Sequence, residues 1–382
     1  MEILELQKRI NRTLEIVNNA KSPSEKRRYF VILSGLVSIY NEITGSELQL
    51  GKTTQEKIMK YSFYEALLKE FNDNYANIYK ISSGILQARK KEKCDFSLMY
   101  DFKTYSPKYM LEIFETFMAS LGQKYYKIYK EAFKEGRVYF SKTYGEGFSI
   151  FDYEDLKSYI FVPKNKETLA FLSTIAHEFG HVFEFDETKF ARKPYFTNKF
   201  NVNLEVFSML IELLLFDYLR KINFNLNEVN KMEEKFYNDV IGYAAEIKFA
   251  LSLSKIFIDY DCNLAIYDYD EADSVADKLE ESDGIRYYTY NINLEDSMNY
   301  MYGGIIATIY RYYYNQDEAF ISEIKKHFLD YEFYGTEEIL DRLPLVREEL
   351  NGFPILKKRL KQIKTNQLSW LVFFLVIILN NK

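Results

Sequence analysis

Lys166-Glu167-Thr168 opens a long stretch of helical periodicity that carries His177-Glu178-Phe179-Gly180-His181, an H-E-x-x-H pattern set inside a helix. Residues four apart share one face of a helix, so both imidazoles can meet a single tetrahedral ion. Glu178 lies one step around, where it reaches a water on that ion rather than the ion itself. A carboxylate there accepts the water's proton as it attacks a peptide carbonyl. The chain holds only three histidines in 382 residues. Chance placement of two of them in this pattern, with glutamate in the right slot, is improbable, on the order of one in a thousand.

A catalytic zinc takes three protein ligands and keeps one position open, so a third ligand is needed. His327 is remote in sequence. Glu184 shares the helical stripe but lies about 10 Å along from His177, and three ligands on one straight stripe do not converge well. Glu187 occupies a slot used by histidine in some zinc proteases, yet no glycine turn folds it back. Glu205 is the better candidate. It sits in a second helix, Leu204-Glu205-Val206-Phe207-Ser208-Met209-Leu210-Ile211-Glu212, otherwise rich in apolar residues, where a carboxylate should face something polar. A solvated helix-edge glutamate is the competing reading. Glu212, two turns on, either hydrogen-bonds a ligand imidazole from behind or is a surface charge.

Outward from these segments, apolar residues recur at helical spacing through most of the chain, which has six prolines and 15 glycines. A mainly α fold follows. Breaks at Ser22-Pro23-Ser24, across 44–54 and at Ser106-Pro107 carry N-cap residues, and a helix from Gln123 to about Lys134 ends near Gly136. Further helices are expected over 204–219, 227–258, 294–314 and 317–328. Val138-Tyr139-Phe140, Phe148-Ser149-Ile150-Phe151 and Tyr159-Ile160-Phe161-Val162 read as short strands of a small sheet ahead of the histidine helix. The chain shows no internal repeat and no low-complexity linker. The expected division is an N-terminal helical region (1–80), a catalytic domain (81–330), a C-terminal helical extension (331–367) and an apolar tail (368–382).

Composition limits the function classes. With 47% hydrophobic and 28% charged residues, 31 Phe and 34 Tyr, the chain is far from the signature of disorder and long enough for a large core. A net charge of −6 lacks the basic excess that phosphate-backbone binding needs, so nucleic acid is not an expected partner. Cys94 and Cys262 form no CxxC pair, which favours buried thiols over a disulfide framework or a thiolate zinc site. Met1-Glu2-Ile3-Leu4-Glu5 lacks the order of a secretory signal, favouring a cytoplasmic location. Leu368 to Leu379 (LSWLVFFLVIIL) follows Lys357, Lys358, Arg359, Lys361 and Lys364. It is either a docked or free apolar terminus or a membrane-associating tail making weak contact. As a helix it would be about 18 Å long, whereas a span needs roughly 20 residues. Nothing in the sequence indicates oligomeric state.

Taken together, the chain resembles the oligoendopeptidase F and thimet oligopeptidase family of zinc metallopeptidases, as a shortened member. The matching pieces are His177-Glu178-Phe179-Gly180-His181, Glu205-Val206-Phe207-Ser208 with Glu212 beyond it, Tyr300-Met301-Tyr302-Gly303-Gly304 and Leu121-Gly122-Gln123-Lys124-Tyr125. The resemblance spans roughly Ser82 to Tyr314. It implies a multi-helical, zincin-type peptidase fold with a small β-sheet beside the zinc helix and a substrate cleft that admits short peptides. It also implies one zinc ion on His177, His181 and Glu205, with Glu178 as catalytic base and either Tyr300 or Tyr302 donating to the oxyanion. By the same resemblance the strand before the zinc helix pairs with substrate backbone. Tyr159, Ile160 and Phe161 form the candidate edge, and Gly145 and Gly147 are a substrate loop or, preferably, a turn.

The expected function is hydrolysis of short oligopeptides. A dedicated processing peptidase at a membrane surface and a non-catalytic peptide-binding protein of the same fold are the alternatives, the intact Glu178 counting against the second. The chain departs from the family in three ways. Glu184 stands where members often carry another histidine, 287–299 contains no histidine, and length is missing on the N-terminal side, which would leave the cleft more open.

Overall fold

Helix forms wherever the apolar spacing demands it, and the caps fall where the sequence breaks. The computed structural model describes residues 3–46, 48, 54–92, 102–142, 145–164, 168–190, 202–259, 262–287, 292–329 and 335–364. In chain order the elements are α1 (Ile3–Asn19), α2 (Pro23–Thr44), α3 (Thr54–Glu92), α4 (Pro107–Ser120), α5 (Gln123–Lys134), β1 (Val138–Ser141), β2 (Phe148–Asp152) and β3 (Lys157–Pro163). There follow α6 (Leu169–Thr188), α7 (Val206–Lys221), α8 (Leu226–Ser252), α9 (Tyr269–Asp283), α10 (Leu294–Tyr314), a 3-10 turn (Glu318–Phe320), α11 (Ile321–Leu329), α12 (Gly335–Arg342), α13 (Pro344–Leu350) and α14 over 354–364. Ser22 and Ser106 cap α2 and α4 by accepting from Glu25 N and Tyr109 N, each with proline in the first turn. Gly136, at φ +64°, follows α5 in the left-handed region.

Four elements differ from the sequence reading: the helix expected over 204–219 begins at Val206, with Glu205 in the turn before it, and that expected over 317–328 opens with the 3-10 turn Glu318–Phe320. Helix α8 stops at Ser252 rather than running to 258, and Ile258 instead bridges Leu264. Helix α9 is absent from the expected set. It is acidic, buries only Ala272, Ala276, Leu279 and Asp283, and so shows a weak apolar stripe between its Asp268 cap and Gly284. The apolar segment 368–379 and Cys94 lie outside the described residues, whereas Cys262 is buried. Among the described residues no helix is long and apolar enough to cross a membrane.

The three strands form one sheet in the order β1-β3-β2, with β1 parallel and β2 antiparallel to β3. This corrects the expectation that Tyr159, Ile160 and Phe161 form an edge. Strand β3 is central, paired on both sides, and all three residues are buried. Alternation sends Tyr159 and Phe161, with Tyr139, Phe148 and Ile150, towards a core made with α1 and α2. Ile160 and Val162 point the other way into the larger core built on α6 and α7. Strands β1 and β2 are the edges.

Helix α6 is buried almost all round, as its apolar composition requires, and packs on α7 and the sheet. The contact with α7 is backbone to backbone. A Cβ on Gly180 would fall 2.4 Å from Ser208 Cα and 2.9 Å from Ser208 N. At Gly303 of α10 a Cβ would fall 2.8 Å from Glu205 Cβ. Three helices thus meet at distances that only glycine permits.

A buried ion cluster ties the far halves of these helices together. Arg311 of α10 donates to Asp217 of α7 (2.7 Å) and to Glu233 of α8 (2.5 Å), while Arg359 of α14 and Arg220 also reach Glu233. Burial alone would push the Glu233 carboxyl up, but Arg311, Arg359 and Arg220 outweigh it and hold it well below the ordinary range.

Two outcomes are expected from this packing. Gly180→Ala should force α6 and α7 apart at a cost of about 1–3 kcal/mol, measured by urea unfolding; an unchanged midpoint would show room that this packing denies. Glu233→Gln should cost about 3–5 kcal/mol at neutral pH. A depressed folded pKa stabilises above the unfolded value of about 4.3 and loses that contribution as pH falls towards the folded value. The parent should therefore lose stability more steeply than the variant below about pH 4, and parallel curves would contradict the assignment.

Candidate functional site

Glu205 ends the short turn at 202–205 and takes the N-cap position of α7, so its side chain is delivered to the helix start that Gly180 allows close to α6. Ser208 Oγ donates to Glu205 Oε2 at 2.8 Å and fixes the carboxylate. Glu205 Oε2 lies 3.1 Å from His177 Nε2 and 3.4 Å from His181 Nε2, and the two nitrogens are 3.2 Å apart. An ion with tetrahedral ligands at 2.0–2.1 Å spaces its ligand atoms by about 3.3 Å. The triangle of donor atoms fits such an ion, and His177, His181 and Glu205 form a cluster able to coordinate a metal.

Behind the triangle, His177 Nδ1 donates to Glu212 Oε1 at 2.8 Å, and Ser173 Oγ donates to the other Glu212 oxygen at 2.5 Å. That hydrogen bond leaves the Nε2 lone pair of the neutral ring facing the cluster. Burial disfavours protonation of His177, but Glu205 and Glu212 outweigh it and hold its pKa well above the ordinary value. His181 is likewise raised, chiefly by Glu205 acting against burial, while Glu205 is held well below the carboxylate range by the two imidazoles despite its own burial.

Glu178 is buried beside the cluster. Burial pushes its carboxyl up, against the pull of His177, His181 and a hydrogen bond from Ser149. Tyr300 stacks on His177, with ring centroids 6.0 Å apart at 21°, and Tyr243 of α8 stacks on Tyr300 at 5.0 Å. Burial, followed by Glu205 and the other nearby charges, drives the Tyr300 phenol far above its ordinary pKa, so it stays protonated and able to donate. Among the described residues no hydrogen bond to its hydroxyl is seen.

The structure brings Tyr300 to the cluster and not Tyr302. Tyr302 is buried with its hydroxyl 3.3 Å from Thr336 Oγ1 on α12. Residues two apart on a helix point about 200° apart, so α10 can offer only one of them. Glu187 is engaged by Lys124 and Lys325, away from the histidines. Gly147 lies against Glu178, whereas Gly145 is exposed with nothing within 4 Å of a notional Cβ. Sequence reasoning does not single out Ser149, Ser173, Ser208 or Tyr243. Signals for Ser173 and Ser208 exist, since they stand four residues before His177 and three after Glu205 on shared helical faces. Ser149 and Tyr243 come from elements whose placement no local spacing reveals.

No protein-family model matches the sequence and no curated protein matches it. Solved structures do match over most of the chain. One is a protein provisionally assigned as oligoendopeptidase F, with a TM-score of 0.52 and 10% identity, over 88% of this chain and 65% of that one. A protein of Bacillus anthracis str. Ames with the same provisional assignment gives 0.48 and 12%, over 91% and 63%. PZ peptidase A with an inhibitor gives 0.49 and 11%, over 90% and 64%. At these identities the likeness is one of fold, carried by the first of the three. The chain spans less than two thirds of the length of each. Fold and site together define a mainly α-helical, zincin-like architecture with a small sheet and a His-His-Glu metal-binding cluster.

Titration with zinc is expected to give one ion per chain and a higher thermal midpoint, about 4 kcal/mol of added stability when zinc exceeds its Kd a thousandfold. Glu205→Gln should abolish tight binding, and Glu212→Gln should weaken it about 10- to 100-fold. Unchanged affinity in both variants, read by calorimetry, would remove the cluster from consideration.

Proposed function

We propose that the chain is a zinc metalloendopeptidase that hydrolyses short peptides. The observation that carries this reading is the convergence of His177, His181 and Glu205 on one point with the buried carboxylate of Glu178 alongside. A zinc ion held there would act as Lewis acid on the scissile carbonyl and acidify the attacking water. Glu178 is placed to act as the base that would accept a proton from the attacking water and return it to the leaving amine, a role suited to a carboxyl raised by burial. Tyr300 donates its phenolic proton to the oxyanion that forms on the substrate carbonyl. Glu212 and Ser173 hold His177 in the tautomer that points Nε2 inward.

The free edge of β2, rather than β3, is the candidate for pairing with substrate backbone, since β2 runs past Glu178 and carries no strand on its outer side among the described residues. Main-chain pairing suits many sequences and extended, short substrates. A second reading, processing at a membrane surface, draws on the apolar segment 368–379 and the basic residues of α14 before it. Removing 368–382 and comparing membrane fractionation separates the two, because a purely cytoplasmic oligopeptidase is indifferent to the deletion.

Glu178→Gln should keep its zinc and lose about 10²- to 10⁴-fold in turnover of a mixed peptide library. Tyr300→Phe should lose about 10²- to 10³-fold in kcat, with Tyr302→Phe far milder. Turnover by Glu178→Gln equal to that of the parent would sink the mechanism.

A further inference from the structure

We propose that Ser149, on edge strand β2, is the positioning residue for Glu178, with Gly147 supplying the clearance, so that one strand both borders the substrate path and holds the base. This rests on the reading of Glu178 as general base. Ser149 Oγ lies 2.7 Å from Glu178 Oε2 and 3.3 Å from the Glu178 carbonyl oxygen. A hydroxyl has one proton, and the charged oxygen at the shorter distance receives it. Ser149 is the sole side chain hydrogen-bonded to the Glu178 carboxylate among the described residues.

The other carboxylate oxygen faces Gly147. A Cβ at Gly147 would fall 3.0 Å from Glu178 Oε1, 3.3 Å from its Cγ and 2.4 Å from Thr174 Cγ2. The carboxylate therefore fits against β2 with Oε2 held by Ser149 and, among the described residues, no hydrogen bond to Oε1, which leaves Oε1 the oxygen free to exchange a proton. Rotation of the group breaks the Ser149 bond.

Strand β2 is itself fixed in register over α6. Phe151 stacks on Phe185 at 4.6 Å and 7°, further along α6 from Glu178. At the strand's end, Arg9 of α1 grips Asp152 through two bonds of 2.8 Å. The serine hydroxyl is thus presented by a strand held at the far end, and substrate pairing along the same strand acts directly on the element that orients the base.

The test compares Ser149→Ala, Ser149→Thr and Ser149→Val on an internally quenched peptide chosen from the library digest, with zinc content and urea midpoint measured alongside. Threonine keeps the donor, and valine has nearly the same shape without it. The expected result is a kcat lower by about 10- to 100-fold for Ala and Val, KM within about twofold, zinc content unchanged, and Thr recovering most of the kcat. Equal losses in Thr and Val, or parent-like kcat in Ala and Val, would overturn the proposal. Glu178→Gln run in parallel separates the two levels. If it retains parental turnover, the base assignment itself has failed; if it is inactive while Ser149→Val is fully active, only the positioning role has.

Discussion

The approach of α6 to α7 at Gly180 is the constraint on which the site depends. Two histidines four residues apart fix two points on one helix, but a third donor must come from elsewhere and land about 3 Å from both. Glu205 does so because the start of α7 lies against the α6 backbone, Gly180 over Ser208. Any side chain at position 180 holds the helices apart by its own radius, and the Glu205 carboxylate moves with the helix that carries it. Gly303 repeats the device on the other side of Glu205, bringing α10 and hence Tyr300 into range. Geometry of this kind is a packing property first and a chemical one second.

The electrostatics follow from that packing. Glu205 and Glu212 are brought within a few ångströms of the imidazoles, and buried Glu178 feels the charge of both. Further out, Asp239, Glu246 and Asp296 are all held above the ordinary carboxylate range, by burial first; neighbouring carboxylates add to the shift in each, against Lys235 at Asp239 and Ser297 at Glu246. Glu205 supplies the one carboxylate of the His-His-Glu donor set, a charge that a dication would neutralise. Burial first, and the neighbouring carboxylates after it, raise the Tyr300 phenol, so the ring stacked on His177 keeps its hydroxyl as a hydrogen-bond donor.

Much of this is legible in the amino-acid sequence alone. The His177–His181 spacing, the helical context, an apolar helix beside Glu205, the three strands and the bounds of α10 at Leu294 and Tyr314 all follow from local pattern, though Glu205 itself proves to be the N-cap rather than a helical residue. The illegible part is whatever depends on who lies beside whom. Aromatic and β-branched residues at 159–162 announce a strand, but burial on both faces looks the same for a central strand as for a well-covered edge. The parallel return of β1 alongside β3 decides the matter, and no residue in β3 encodes it. The choice between Tyr300 and Tyr302 is decidable from helical phase once that of α10 is anchored by Gly303 facing Glu205. Ser149 is not decidable in that way, since its partner is 29 residues away on another element.

The sheet joins two cores, and that division of labour bears on how the site tolerates change. Its inner face belongs to the large core that sets the histidines and Glu205, whereas its outer face belongs to the smaller core formed with α1 and α2. The three donors stand on α6 and at the N-cap of α7, elements of the first core. Strand β2 belongs to both, with Phe148 and Ile150 in the outer core and Ser149 turned inward to Glu178. The Arg9 ion pairs with Asp152, Glu154 and Asp155 fasten α1 to the end of β2 and the turn that follows it. The N-terminal hairpin of helices therefore fastens the strand that carries Ser149. The donors His177, His181 and Glu205 thus depend on the larger core, whereas β2, which touches Glu178 through Ser149, depends on both.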